Sequence, residues 1–275
     1  MNLVWAVLIL LVANAIVIGL MLLIRRGAPD GGYFADSDRA SGVFGVLAGG
    51  FAIFAGFVVF LAFTSYDQSR TGSETEALTV LQQYETAQFL PATVRSRLGG
   101  ELVCYARHVV HTEWPQMEKG ATGDTINPWS VALFHTLRLA EPTSNAEQSA
   151  YDKWLDQTSD REEGRLDRIH GAVGIIPTSV WIVLFLVATV VFSFVLFYAD
   201  SGERARSQAM LVGSVTTVLL ATLLVLHSLD NPYRSGVGSI KPVAMERTLT
   251  LLEQARSAVN DSARPPCDAM GTATS

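Results

Sequence analysis

Charged residues are scarce in this chain. They make up 17% of its 275 residues, whereas about a quarter is normal for a soluble domain. Basic residues are scarcer than acidic ones, 20 against 26, so the formal net charge is −6. This balance offers no basic surface for nucleic acid. Hydrophobic residues make up 49% of the chain, a composition typical of a membrane protein.

Cysteine is nearly absent, and two residues, Cys104 and Cys267, cannot define a disulfide framework. Cys104, His108 and His111 share one helical face at spacing i, i+4, i+7, and Glu101 lies one turn earlier. Zinc favours such ligands. However, Cys104 and His111 would be two turns apart, roughly 10 Å along a helix axis, which is too far for one ion. We therefore predict no metal site.

Motifs of enzymes and pumps are also missing. Nothing resembles a phosphate-binding loop or a hydrolase nucleophile motif, so we predict no cofactor and no enzymatic activity. Four long apolar runs contain no Asp, Glu, Lys or Arg: Asn2–Ile24, Gly42–Thr64, Ile175–Tyr198 and Ala209–Leu229. Proton-coupled transporters generally need an ionisable residue inside the membrane, so a transporter is disfavoured.

The four runs are each long enough to cross a hydrocarbon layer of ~30 Å. They predict an all-α, multi-pass protein of the cell membrane, with the lipid bilayer as its partner. A helical extramembrane domain would lie between the second and third transmembrane helices. The predicted divisions are 1–64 for transmembrane helices 1 and 2, 65–174 for the helical domain, 175–229 for transmembrane helices 3 and 4, 230–260 for a turn and an amphipathic helix, and 261–275 for a disordered tail.

Two charged features of the predicted helical domain have ordinary explanations. Arg161, Glu162, Glu163, Arg165, Asp167 and Arg168 form a mixed-charge run, which is typical of a solvated helix face. Glu113, beside Trp114, is expected to make a helix-end hydrogen bond or an ion pair.

The second run differs from the other three in its small and aromatic residues. Small residues at helical spacing would let another backbone approach closely: Gly45, Ala48, Gly49, Ala52 and Gly56. Phenylalanines cover the remaining surface: Phe44, Phe51, Phe54, Phe57, Phe60 and Phe63. Two interpretations stay open, a well-packed membrane helix or a pore-lining helix with an apolar constriction that gates by dewetting.

Several motifs resemble those of the bestrophins. Phe54–Phe57 (FAGF) followed by Ser65–Arg70 (SYDQSR) resembles the second membrane helix of the bestrophin anion channels, and Leu229–Tyr233 (LDNPY) resembles the turn after their last membrane helix. A closer resemblance is to the bacterial bestrophin-like family. It rests on Glu113, Trp114, Pro115 and Met117, on the IPTSVW sequence at 176–181, and on Asp230, Asn231 and Pro232 of the LDNPY turn. It covers nearly the whole chain up to about Val259.

The resemblance implies a homo-oligomeric ion channel, for anions, with its neck on one face of the second transmembrane helix at Phe57, Ile53 and Gly49. Phe57 and Ile53 keep the apolar character of a bestrophin neck, whereas Gly49 would widen the outermost ring. The acidic run that forms the calcium clasp of animal bestrophins is missing after Pro232, so calcium gating is not expected. The alternative function is a non-conducting membrane scaffold or sensor whose helical domain binds a partner.

The charge pattern favours an orientation opposite to that of the family. Bestrophins place their termini in the cytosol. Here an uncharged N-terminus is followed by Arg25 and Arg26, which favours the N-terminus, and with it Ser65–Gly174, on the outer side. Cys104 and Cys267 would then share an oxidising compartment, where a disulfide is possible.

Overall fold

A computed structural model describes residues 3–29, 31–121, 126–261 and 263–274. Within these ranges the chain forms helices and no strand, and this confirms the predicted all-α class. The helices are α1 (Leu3–Arg26), α2 (Ser37–Ala87), α3 (Ala92–His108), a π-helical segment (Val109–Glu113), α4 (Trp114–Glu118), α5 (Pro128–Leu137), α6 (Asn145–His170), α7 (Thr178–Phe197), α8 (Ala205–Asp230) and α9 (Val243–Ala258). Four of them, α1, α2, α7 and α8, are long and apolar enough to cross a membrane.

The chain divides into two compact units. Unit 1 contains Met1–Thr64, Gly174–Asp230 and Ser235–Gly238, and unit 2 contains Ser65–Val173, Asn231–Arg234 and Ser239–Ser275. Helix α2 continues without interruption through Thr64 and Ser65. Its first part therefore belongs to unit 1 and its second part to unit 2.

Unit 1 is held together by narrow apolar seams between its helices. One seam joins the first part of α2 to α7 and α8 through Phe51, Ala55, Val58, Ala62, Leu184, Ala188, Val191, Leu219, Leu223 and Leu226. A second joins α1, α7 and α8 through Met21, Val195, Ala199 and Val212. Most other apolar side chains of these helices are exposed, and at most 28% of the apolar window of any of the four helices is buried. Such a surface fits contact with lipid or with another chain.

Unit 2 has a continuous core in which α3 packs against α5 and α9. Its largest buried side chains include Trp154, Tyr105 and Leu98. The second part of α2 meets α6 at Gly72 and Gly164, where the two backbones nearly touch. A Cβ atom on Gly164 would lie 2.8 Å from the backbone nitrogen of Glu76. Only glycine at both positions allows this close approach.

The predicted disordered tail, 261–275, is wrong for the residues that the structure describes. Cys267 forms a disulfide with Cys104, and their Cα atoms are 5.7 Å apart. The indole Nε1 of Trp129 donates a hydrogen bond of 2.7 Å to the carbonyl of Gly271. The tail is polar and rich in small residues, so hydropathy did not predict its order. A covalent bond and backbone hydrogen bonds fasten it to unit 2.

Candidate functional site

The predicted neck residues lie on one exposed face of α2 in unit 1. We call this face the α2 stripe; it consists of Val46, Gly49, Ile53, Phe57 and Phe60. The four side chains other than that of glycine are 66–76% exposed. Their spacing of three or four residues places them opposite the face that packs against α7 and α8. The structure thus brings Phe57, Ile53 and Gly49 to one face, while their role in a pore stays a prediction.

The glycines beside the α2 stripe face open space. A Cβ atom added to Gly45, Gly49, Gly50 or Gly56 would have no heavy atom within 4 Å. Glycine inside a helix costs about 0.5–1 kcal/mol relative to alanine. Nothing within one chain compensates that cost at these positions. The glycines leave room for close approach by another helix.

The α2 stripe carries no polar side-chain atom from Val46 to Phe60. The next residue along this face, Thr64, donates its hydroxyl to the carbonyl of Phe60 at 3.0 Å, so this hydroxyl is engaged within the helix. This face therefore offers water no side-chain hydrogen-bond partner from Val46 to Phe60.

Glu113 and Trp114 of the family motif are directed into unit 2 by a local change of helix type. Pro115 has no N–H, and in a regular helix its ring would press on the carbonyl of His111. The π-helical segment widens this turn, and the Trp114 N–H donates to the carbonyl of Val109, five residues earlier. Both Glu113 and Trp114 are buried. π-Helical turns of this kind are frequent at functional positions.

Glu113 belongs to a buried charge network centred on Arg168, whose side chain has no exposed surface. Arg168 Nη2 donates to Glu113 Oε2 at 2.6 Å and to Glu76 Oε1 at 3.0 Å, and its Nε donates to Glu76 Oε2. Tyr105 donates its hydroxyl to Glu76 Oε1 at 2.6 Å. Arg165 Nη2 donates to Glu113 Oε1 at 3.2 Å. Two carboxylates therefore face two guanidinium groups, and the charges balance.

The network shifts the pKa values of Glu113 and Tyr105. Burial alone would raise the pKa of Glu113, but the charges of Arg168 and Arg165 outweigh burial and hold this pKa below its ordinary value. Burial and the neighbouring Glu76 raise the pKa of Tyr105 well above its ordinary value. Glu113 thus stays ionised and Tyr105 stays protonated near neutral pH. The network binds α2, α3, α6 and the π-helical segment together.

The LDNPY turn contributes one residue to this network and one to unit 1. Tyr233 donates its hydroxyl to the carbonyl of Arg168 at 2.5 Å, and its ring meets that of Trp114 edge-on, with centroids 5.5 Å apart. Asp230, in unit 1, accepts the backbone N–H of Ile176 at 2.7 Å and the indole N–H of Trp181 at 3.2 Å. The IPTSVW and LDNPY motifs are therefore joined through Asp230. The motif residues Asn231 and Pro232 lie in unit 2.

The prediction of a solvated face at 161–168 is wrong for its arginines. Arg161, Arg165 and Arg168 are all buried, whereas Leu166 on the same helix is exposed. The predicted ion pair of Glu113 is confirmed, but the sequence did not identify its partners. A usable signal was present, because three arginines at spacing i, i+4, i+7 form one stripe on α6.

Cys104 is bonded to Cys267 and so offers no thiolate to a metal. His108 is half-buried, and burial lowers its pKa, with Glu113 opposing that shift and Arg165 adding to it. Within residues 3–29, 31–121, 126–261 and 263–274, no three His, Cys, Asp or Glu side chains are grouped in a way that could hold a metal ion.

The comparisons with known proteins agree on one family. A family model described as a Bestrophin-like domain matches residues 8–245. Two solved point mutants of a bacterial bestrophin homolog from Klebsiella pneumoniae superpose on this chain. The first has a TM-score of 0.68 at 14% identity, and the alignment covers 89% of this chain and 99% of the mutant. The second has a TM-score of 0.66 at 15% identity, and the alignment covers 91% of this chain and 98% of the mutant. A solved structure described as a membrane protein gives a TM-score of 0.67 at 14% identity, covering 88% of this chain and 98% of the other. No curated protein matches the sequence.

Proposed function

Because the chain belongs to the bestrophin-like family, we propose that it is a homo-oligomeric ion channel with its neck on the α2 stripe. Phe57 and Ile53 would form the apolar constriction, and Gly49 would form a wider ring beyond them. The observation that carries this proposal is the exposure of an entirely apolar face on α2, opposite the face that packs within unit 1. Four membrane crossings are proposed, with the helical domain, Ser65–Gly174, between the second and the third.

Oligomerisation is part of the proposal because one α2 helix cannot enclose a pore. Glycines with open space above them support close helix packing between copies, since small residues let helix backbones approach in a membrane. The choice of anions rests on the resemblance to the bestrophin anion channels. Neither an intramembrane charge nor a calcium clasp is required, because an apolar neck gates by wetting.

The first experiment compares ion flux through wild type and Phe57→Ala in liposomes. Truncation should widen and wet the neck, so we expect chloride flux to rise at least severalfold. Stability should change little, because an exposed ring has less packing to lose than the ~3–5 kcal/mol typical of a buried Phe→Ala change. The matched control is Phe185→Ala, which removes another exposed phenylalanine from α7 and should leave the flux at the wild-type level.

Two measurements complete this test. The mass of the protein in detergent should correspond to several copies, because a monomer cannot form a ring. Replacing chloride by gluconate, with sodium unchanged, should abolish the flux if anions carry it. A monomeric mass, or silent liposomes together with an unfolded Phe57→Ala protein, would contradict the channel and favour the scaffold or sensor.

We further propose that unit 2 faces the outer, oxidising side of the membrane, opposite to the bestrophin orientation. The Cys104–Cys267 disulfide supports this orientation, because such bonds persist in oxidising compartments. Arg25 and Arg26 beside a short link support it as well.

Single cysteines test this orientation while the native pair stays oxidised. Lys153→Cys lies on an exposed position of unit 2, and Arg206→Cys lies on an exposed position near the start of α8. An impermeant maleimide should label Lys153→Cys in intact cells and should label Arg206→Cys only after permeabilisation. The reverse pattern would establish the family orientation instead.

A further inference from the structure

Unit 1 contains a pocket at the ends of its helices, which we call the loop pocket. It lies between the link that joins α1 to α2, the link that joins α7 to α8, and the adjoining turns of those helices. Its volume is about 470 Å³, within the range of small-molecule sites. Its inner wall contains the buried side chains of Met21, Val195 and Val212, and its rim contains the exposed residues Ser41 and Glu203. The pocket is thus apolar inside and polar at its opening.

Two buried side-chain oxygens in this pocket lack a hydrogen-bond partner, Gln208 Oε1 and the hydroxyl of Tyr198. Gln208 is 4% exposed and lines the pocket. Its Nε2 donates to the carbonyl of Asp200 at 3.1 Å, which fixes the orientation of the amide. Its Oε1 is buried and accepts no hydrogen bond, and the hydroxyl of Tyr198 is in the same situation. Buried polar atoms are nearly always paired in native proteins, so these two point to a ligand.

One wall of the pocket, the link between α7 and α8, is held in place from outside the pocket. Arg25 Nε donates to the carbonyl of Asp200 at 2.9 Å, and its Nη2 donates to the carbonyls of Ser201, at 3.0 Å, and of Glu203. One guanidinium group thus binds three carbonyls of the link between α7 and α8. The pocket is preformed, because this link does not need a ligand for its shape.

The chemistry of the lining selects the ligand. The oxygen of Gln208 only accepts, so the ligand must supply an O–H or N–H donor. The inner wall requires a hydrocarbon segment. Asp200 and Glu203 at the rim disfavour an anionic headgroup. We propose that the loop pocket binds a neutral amphiphile with one hydrocarbon chain and a hydroxyl headgroup, of the monoacylglycerol type, whose hydroxyl donates to Gln208. This site does not depend on ion conduction.

Binding is tested with the full-length protein and 1-dodecanoylglycerol. Native mass spectrometry from detergent should show one bound molecule per chain, and thermal unfolding should shift to higher temperature. Two further probes separate the contributions of chain and headgroup. Dodecanoate has the same tail length but an anionic head, and glycerol has the hydroxyls but no tail. Both should bind at least tenfold more weakly than 1-dodecanoylglycerol.

Variants locate the binding. Gln208→Leu keeps the size of the side chain but removes the acceptor, and it should weaken binding roughly tenfold. Because this change also removes the bond to Asp200, a second variant is needed. Leu211→Trp fills the pocket from an exposed position on α8 and should abolish binding. Val218→Trp, two turns further along α8, is as exposed and lies outside the pocket, and should bind as wild type does.

Four results would overturn the assignment. Two concern the probes: dodecanoate, or glycerol alone, binds wild type as tightly as 1-dodecanoylglycerol does. Two concern the variants: Gln208→Leu and Leu211→Trp both bind 1-dodecanoylglycerol as wild type does, or Val218→Trp loses as much binding as Leu211→Trp. If wild type bound no 1-dodecanoylglycerol and Leu211→Trp formed a smaller oligomer than wild type, the pocket would instead be a contact site for a neighbouring copy. Failure of the channel would show in flux and leave these binding measurements unaffected.

Discussion

Glycine is used in opposite ways in the two units of this protein. In unit 2, a Cβ atom on Gly72 would lie 2.5 Å from the Cβ of Asp167, and one on Gly164 would lie 2.8 Å from the backbone of Glu76. In unit 1, a Cβ atom on Gly45 or Gly56 would meet nothing within 4 Å. Gly72 and Gly164 allow a close contact between two helices of the same chain, whereas Gly45 and Gly56 have no such contact within the chain. Unit 2 is complete in one chain, and unit 1 presents surface to its surroundings.

Charge follows the same division. Unit 2 buries Glu76, Glu113, Arg165 and Arg168 and pairs them with one another. The apolar windows of the four long helices expose their side chains and contain few charges. Removing an internal contact should therefore damage unit 2, while a comparable change on the outer surface of α2 should not.

The largest effect is expected from Arg168→Met. The change leaves Glu76 and Glu113 buried without their main partner, and breaking a buried pair costs about 3–5 kcal/mol. Thermal unfolding and protease sensitivity of unit 2 would measure the loss. Arg70→Met is the matched control, because Arg70 pairs with Glu74 on the surface and such pairs contribute about 0–1 kcal/mol. Equal losses in the two variants would show that the buried network does not stabilise unit 2.

A smaller effect is expected from Gly72→Ala. The new methyl group would overlap Asp167 and the backbone of α6, and overpacking of this kind costs about 1–3 kcal/mol. Gly56→Ala, on the same helix but in unit 1, meets open space and should leave the stability of the chain equal or slightly higher. Thermal unfolding compares the two variants. If Gly56→Ala were the more damaging change, the contrast between the units would be wrong.

The smallest effect concerns pH. Glu113 has a folded-state pKa below its ordinary value of 4.5. Its contribution to stability is therefore fully present above that value and is lost as pH falls through the lowered folded pKa. Wild type should lose stability below pH 4.5 more steeply than Glu113→Gln, although the variant is less stable at pH 7. Unfolding temperatures from pH 7 to pH 3 measure both slopes, with the surface variant Glu74→Gln as control. Parallel slopes for Glu113→Gln and wild type would contradict the assignment.

The sequence predicted the features that depend on local pattern. Apolar runs without charges identified α1, α2, α7 and α8, because the bilayer imposes length and hydropathy on each segment separately. The apolar run that ends at Thr64 is the first part of a longer helix, since the polar residues that follow it continue α2 to Ala87. A change in the surroundings of a helix does not require a change in its backbone.

Features that depend on distant partners were missed. Arg168 binds Glu76, 92 residues away, and Glu113, 55 residues away. Helical periodicity assigns a charged residue to the surface because it contains no information about a partner that is distant in the sequence. The ordered tail was missed for the same reason, since it is held by a disulfide to Cys104 and a hydrogen bond from Trp129, both far away in the sequence.

The disulfide has a consequence for how the protein is made. Cys104 and Cys267 are 163 residues apart, and the intervening chain includes both α7 and α8. The two sulfurs can meet only on the same side of the bilayer, so the chain between them must cross an even number of times. In the proposed arrangement, with α7 and α8 as these two crossings, the bond would close only after both have inserted and the C-terminal tail has reached the side of Cys104. Formation of this disulfide would then show that both α7 and α8 had crossed the bilayer.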